Sequence, residues 1–172
     1  MEMRTGTTAD APAIVALLDR TMAWLTAQGR TGQWGDQPWS ARPELVERID
    51  RYLGTMHARV AVGEGGELLG VCVLNEEGPD YARPAPGPEL YLRFLATERS
   101  ASGSGVGAAL VADAVAETRR RGLPVLRVDC FGGDDRRLVG QYLKLGFTPC
   151  GTFGVERADG STWPGQFLEI RL

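Results

Sequence analysis

Apolar residues recur along parts of this chain at helical spacing, and the β-rich runs between those parts mark out its other elements. Ile14, Leu18, Met22 and Leu25 fall three or four residues apart behind Thr8, a residue able to cap, so a helix is predicted there with Gly29 as its stop. A short strand near residues 3–5 precedes it. Leu45, Ile49 and Leu53 repeat the helical spacing, with His57 at the end. Residues 31–42, rich in Gly, Pro and Trp, have no clean period and read as an irregular connection. Residues 59–62 and 68–74 are β-rich, and Gly63-Glu64-Gly65-Gly66 between them signals an antiparallel hairpin. Pro79, Pro84, Pro86 and Pro88 leave residues 76–88 as a long loop.

In the second half, residues 90–96 read as a strand, 105–121 as a helix with Val106, Leu110, Ala114 and Ala116 turned inward, and 124–130 as a strand. A strand-helix-strand unit of this length implies two parallel strands. A further helix is predicted over 134–145 through Leu138, Tyr142 and Leu145, stopped by Gly146, and two closing strands fit 147–155 and 166–172. The order β-α-α-β-β-β-α-β-α-β-β predicts an α/β (α+β) chain with a mixed sheet of about seven strands and helices on both faces. At 172 residues, with neither repeat nor linker, residues 1–172 are expected to form a single domain.

Composition narrows the class. A hydrophobic share of 43% and a charged share of 24% are those of a globular protein, and no apolar run approaches the ~18–20 residues of a membrane span. The opening Met1-Glu2-Met3-Arg4-Thr5 has no secretion signal, so a cytoplasmic location is expected. Cys72, Cys130 and Cys150 are odd in number and far apart, which suits neither a disulfide framework nor a CxxC site, and no metal is expected. A net charge of −3 argues against nucleic acid as a partner, and the basic cluster Arg119-Arg120-Arg121 complements a helix end. A monomer or homodimer, with no membrane partner, is expected.

One segment carries chemistry: Ser102-Gly103-Ser104-Gly105-Val106-Gly107. Glycine at every second position lets the backbone approach a ligand, and amide N–H groups at the start of a helix then point together at an anion. A pyrophosphate fits such a cradle, although a tight strand-to-helix connection would use the same residues. No Lys-Ser/Thr follows the glycines, which excludes a nucleotide P-loop, and too little chain remains for a full dinucleotide fold.

The run from Tyr91-Leu92-Arg93-Phe94-Leu95-Ala96-Thr97-Glu98-Arg99 to Gly107-Ala108-Ala109-Leu110 resembles motif A of the GNAT superfamily of N-acetyltransferases, whose core is Gln/Arg-x-x-Gly-x-Gly/Ala. Val128-Asp129-Cys130-Phe131-Gly132-Gly133-Asp134, Leu138-Val139 and Tyr142-Leu143-Lys144-Leu145-Gly146-Phe147 resemble its motif B, with a tyrosine four residues before Gly-Phe. The resemblance implies a mostly antiparallel GNAT-type sheet, acetyl-CoA as co-substrate, and direct attack by an amine on the thioester. It implies cofactor contacts from Leu95, Ala96 and Thr97, from Ser102, Gly103, Ser104, Gly105, Val106, Gly107 and Ala108, and from Asp135 and Tyr142. Tyr142 is the implied general acid, since a phenol can protonate a departing thiolate, and the backbone N–H of Leu95 is the implied oxyanion donor.

Four positions depart from the family pattern. Ser102 replaces the usual Gln or Arg and Ser104 a frequent basic or polar residue, so phosphates would be held mainly by backbone. Asp135 stands where Asn is frequent. Tyr91 occupies the place of a strand glutamate in histone-type members, which puts it on the substrate side and leaves Asp36, Glu76, Glu77 and Asp80 as alternative bases. Trp34 and Trp39 read as an aromatic wall for the amine, and Trp24 as core. Cys130 would permit an acetyl-cysteine intermediate, but the family route is direct transfer. The acceptor expected is a small-molecule amine; a protein lysine or N-terminus, or a non-catalytic acyl-CoA sensor, are the alternatives.

Overall fold

The computed structural model describes every residue except Asp134. Among the described residues, seven strands form one sheet: β1 (Glu2–Thr5), β2 (His57–Val62), β3 (Leu68–Asn75), β4 (Leu90–Thr97), β5 (Val125–Phe131), β6 (Thr148–Glu156) and β7 (Thr162–Arg171). Their order across the sheet is β1-β2-β3-β4-β5-β7-β6. Helices α1 (Ala11–Ala27), α2 (Pro43–Thr55), α3 (Val106–Arg120) and α4 (Arg137–Lys144) fall between them in the predicted succession. β4 and β5 are parallel, with Leu90, Tyr91 and Leu92 opposite Leu126, Arg127 and Val128. The pairs β1–β2, β2–β3, β5–β7 and β6–β7 are antiparallel.

By its internal packing the chain divides into two compact units, Met1–Leu74 with Phe94–Asp113, and Asn75–Arg93 with Ala114–Leu172. In the first, the helical spacing read from the sequence becomes a buried face. Ile14, Leu17, Leu18 and Met22 of α1 meet Leu45, Ile49 and Leu53 of α2 over Val60, Val71 and Val73. Each such side chain stabilises the fold by about 1.5–3 kcal/mol relative to exposure. Gly70 on β3 is where α3 comes closest: a Cβ there would lie 2.9 Å from Leu110 Cδ1 and 3.0 Å from the Ala96 carbonyl oxygen. In the second unit, Leu90, Leu92, Leu126, Val128 and Leu168 are buried on the strands.

Four element ends and the inner face of α3 differ from expectation. Thr7, not Thr8, begins the entry to α1, because its N–H donates to the Asp10 carboxylate at 2.9 Å and Arg4 holds that carboxylate at 2.6 Å. At the other end Gly29, with φ +67°, lets the Arg30 N–H reach back to the Leu25 carbonyl at 2.9 Å, so it stops the helix as predicted. His57 opens β2 and does not end α2, whose last residue is Thr55. In α3, Ala116 is exposed and Thr118 is buried, since Leu110, Ala114 and Thr118, spaced by four, share one face. α4 begins at Arg137: Arg136 is left-handed at φ +46°, and the Asp135 carboxylate accepts the Arg137 N–H at 3.1 Å. The predicted start at Asp134 lies outside the described residues. β7 starts four residues early because Trp163 and Gly165 already pair with Val155 and Phe153 of β6.

Candidate active site

The predicted cradle lies in the first unit. At the end of β4, Leu95 and Thr97 are half-buried and Ala96 is buried, and the next residue, Glu98, donates its N–H to the Leu69 carbonyl at 2.8 Å. The Glu98 carboxylate accepts the Arg99 N–H at 2.9 Å and two bonds from Arg20, at 2.9 and 2.6 Å. Burial pushes that carboxyl up, but Arg20 and the backbone N–H groups of Ser100 and Arg99 outweigh it and hold it below the usual carboxylate range. A single 3-10 turn, Arg99–Ala101, leads to Ser102. Gly103 and Gly105 have φ of +85° and +84°, which favours glycine, and no atom lies within 4 Å of where their Cβ atoms would be.

The chain therefore turns with open space on the glycine side. Ser102 and Ser104 return their N–H groups to the carbonyls of Arg99 and Ala101, and the Ser104 hydroxyl donates to Ala101 as well. The N–H groups of Gly103, Gly105, Val106, Gly107 and Ala108 form no hydrogen bond among the described residues. Five free donors at the positive end of α3 fit the oxygens of a diphosphate. Neither serine side chain adds a charge.

Trp34 and Trp39 share the first unit. Trp39 is buried in its core, edge-on to Trp34 at 5.5 Å and against Phe94 at 5.8 Å, and Trp34 is half-buried beside it. A cavity of about 470 Å³ lies against this segment, with Asp19, Asp36 and Ser40 on its wall.

The second unit holds Tyr91, Asp135 and Tyr142. Tyr142 is buried on α4, edge-on to Phe147 at 5.4 Å, and the Phe147 N–H donates to its carbonyl. Asp135 is exposed before α4. Tyr91 is fully buried, and its hydroxyl donates to Asp129 Oδ1 at 2.5 Å, while the hydroxyl of Tyr81, from the Pro-rich loop, donates to Oδ2 at 3.1 Å. Burial raises the Asp129 carboxyl above its ordinary value despite those two donors. Burial, and then the Asp129 charge, raises the Tyr91 phenol.

Aromatic rings extend from this carboxylate. Tyr81 stacks on Phe153 at 5.5 Å and Phe153 on Phe167 at 4.3 Å, while the Arg127 guanidinium covers the other ring at 4.3 Å from the Phe167 centroid. Three guanidinium groups hold the loop down: Arg93 on the Glu77 carbonyl at 3.1 Å, Arg127 on the Arg83 carbonyl at 2.7 Å, and Arg121 on Glu76 at 2.8 Å. Glu76, Glu77 and Asp80 are exposed. Asp129 is a carboxylate the sequence did not single out. Its signal was there in part, because Arg127 and Asp129 alternate along β5 and so share one face. Only the strand register shows that Tyr91, opposite Arg127, and Phe167, opposite Asp129, share it too. Cys130 points the other way; burial and the nearby Asp129 charge push its thiol up to about 12.

Among the described residues no group of three or more His, Cys, Asp or Glu side chains is placed to hold a metal ion, and no helix is long and apolar enough to cross a membrane. The model of the GNAT acetyltransferase family matches residues 19–147. No curated protein matches the chain. Among solved structures, a ribosomal-protein-alanine N-acetyltransferase from Brucella melitensis is 24% identical with a TM-score of 0.67, all of each chain being covered. A GNAT-family acetyltransferase from Listeria monocytogenes is 20% identical, TM-score 0.69, over 99% of this chain and 94% of that one. A phosphinothricin acetyltransferase from Sinorhizobium meliloti, solved with acetyl-CoA, is 17% identical, TM-score 0.69, over 99% of this chain and 88% of that one. With a glycine cradle at the start of α3, a tyrosine before Gly146-Phe147, and a family match over three quarters of its length, the chain belongs to the GNAT family of acetyltransferases.

Proposed function

We propose that this protein transfers an acetyl group from acetyl-CoA to the amino group of a small-molecule acceptor by direct attack. The observation that supports it is the set of five unbonded amides between Gly103 and Ala108, a donor array matched to a diphosphate. The Sinorhizobium meliloti relative, which was solved with acetyl-CoA, supports the same donor. Acetyl-CoA, when bound, supplies the activated acetyl thioester. The backbone of Leu95, Ala96 and Thr97 lies one turn before the cradle and is assigned to the cofactor's amide arm, with the Leu95 N–H as oxyanion donor.

Tyr142 is assigned the proton for the departing thiolate. Asp129 is assigned the proton of the attacking amine: its raised carboxyl is a better base than an exposed aspartate, and two phenols fix its orientation. The high pKa of Cys130 keeps it a thiol near neutral pH, which favours direct attack over an acetyl-cysteine. A small acceptor is favoured because Tyr81, on a loop tied down by three arginines, sits on the Asp129 carboxylate.

Calorimetry with CoA and with ATP tests the donor, and CoA release over a panel of small amines and basic peptides tests the acceptor. Binding of CoA without binding of ATP, and faster release with small amines, is the expected result. Absence of CoA binding overturns the reading; faster release with peptides overturns the acceptor class.

A further inference from the structure

We infer that Arg99, stacked over Trp24, is the cationic side chain that meets the phosphates of acetyl-CoA, in place of the long Gln or Arg absent at Ser102. The inference rests on the cofactor reading above. Helix-end amides offer partial charge only, whereas a guanidinium offers a full charge and a planar fork suited to phosphate oxygens. Ser102 and Ser104 supply neither. Arg99 is the nearest arginine in sequence to the cradle, opening the turn that ends one residue before Ser102.

Its surroundings hold it ready without neutralising it. The guanidinium carbon lies 3.8 Å from the centre of the Trp24 ring, a stacking that fixes the plane of the group and leaves its edge for hydrogen bonds. The Nε atom is buried with no partner, an arrangement that costs free energy until an acceptor arrives. The adjacent carboxylate is already engaged: Glu98 takes both its strong bonds from Arg20. Elsewhere in the same unit Arg4 has Asp10 and Arg59 has Asp113, while among the described residues no carboxylate pairs with Arg99. An arginine stacked on a ring and without a carboxylate partner, on the turn that leads into a row of free amides, is an anion contact awaiting its anion.

The test is calorimetric binding of CoA to wild type, Arg99→Gln and Arg99→Lys at several salt concentrations, with the melting temperature of each ligand-free protein measured alongside. Arg99→Gln is expected to bind CoA about tenfold or more weakly, as loss of a charged hydrogen bond implies. Its affinity should also respond less to salt than that of wild type, and Arg99→Lys should recover part of both. A merely structural role would weaken binding in both variants without changing the salt response, and that outcome overturns the inference. So does wild-type affinity in Arg99→Gln. If wild type itself binds no CoA, the cofactor reading fails first; if wild type binds and Arg99→Gln binds equally, only the role of Arg99 fails.

Discussion

Two side chains carry the proposed proton transfers, and they differ in how visible they were. Tyr142 was legible because Gly146-Phe147 follows it at the family spacing. Asp129 was not, because its partners Tyr91 and Tyr81 lie 38 and 48 residues away in sequence and meet it only through strand pairing and loop placement. Tyr142→Phe keeps the ring that packs on Phe147 and loses the proton, so kcat is expected to fall about a hundredfold while the unfolding free energy from urea titration falls by no more than about 1.5 kcal/mol, the contribution of one hydrogen bond. Asp129→Asn is expected to lower kcat/KM by a similar factor, with Tyr81→Phe milder. Stability gives Asp129 a second signature. Folding raises its pKa, so the folded state favours the protonated carboxyl. Its contribution is full below the unfolded value of 3.8 and declines as pH rises through the folded value, then stays low. The stability of wild type relative to Asp129→Asn should therefore decrease with rising pH in that window, as urea denaturation at a series of pH values will show.

Elements were read well where a period ran undisturbed and poorly where a side chain or a left-handed residue set the boundary. Among the described residues, all seven strands and four helices were anticipated in order, because a spacing of three to four residues reports a buried helix face directly and β-rich runs between Gly and Pro signals report strands. The start of α4 was not, since a left-handed arginine is unexpected from sequence. Ala116 was misplaced because it lies two residues from Ala114, off the four-residue spacing that Leu110, Ala114 and Thr118 keep. The cradle at the head of α3 separates two kinds of glycine. Gly105 sits at φ +84° in open space, so Gly105→Ala meets no clash yet pays for the left-handed turn, and about 1–2 kcal/mol of stability should be lost in a denaturation measurement. Gly107 is helical, and its added Cβ would touch only Thr97 Cγ2 at 3.8 Å. Gly107→Ala should hold or gain up to about 1 kcal/mol in the same measurement.

At the scale of the molecule, the boundaries between the two compact units fall inside regular elements, between Arg93 and Phe94 in β4 and between Asp113 and Ala114 in α3. Neither unit can unfold without breaking a strand and a helix of the other, so one thermal transition is expected, with calorimetric and van't Hoff enthalpies equal. CoA at a hundred times its Kd should raise the transition by roughly 5–10 °C. The fastenings of the loop over residues 76–88 also divide by their response to acid. Arg93 and Arg127 donate to the backbone carbonyls of Glu77 and Arg83, which do not titrate. The Tyr81–Asp129 bond, by contrast, senses protons, because a protonated carboxyl has less to offer a phenol. Acid thus frees the loop at its tyrosine while the two anchors on backbone carbonyls hold, and amide exchange across these residues should quicken locally around Tyr81. The strip has a buttonhole that opens with pH, and it lies on the carboxylate proposed as the base.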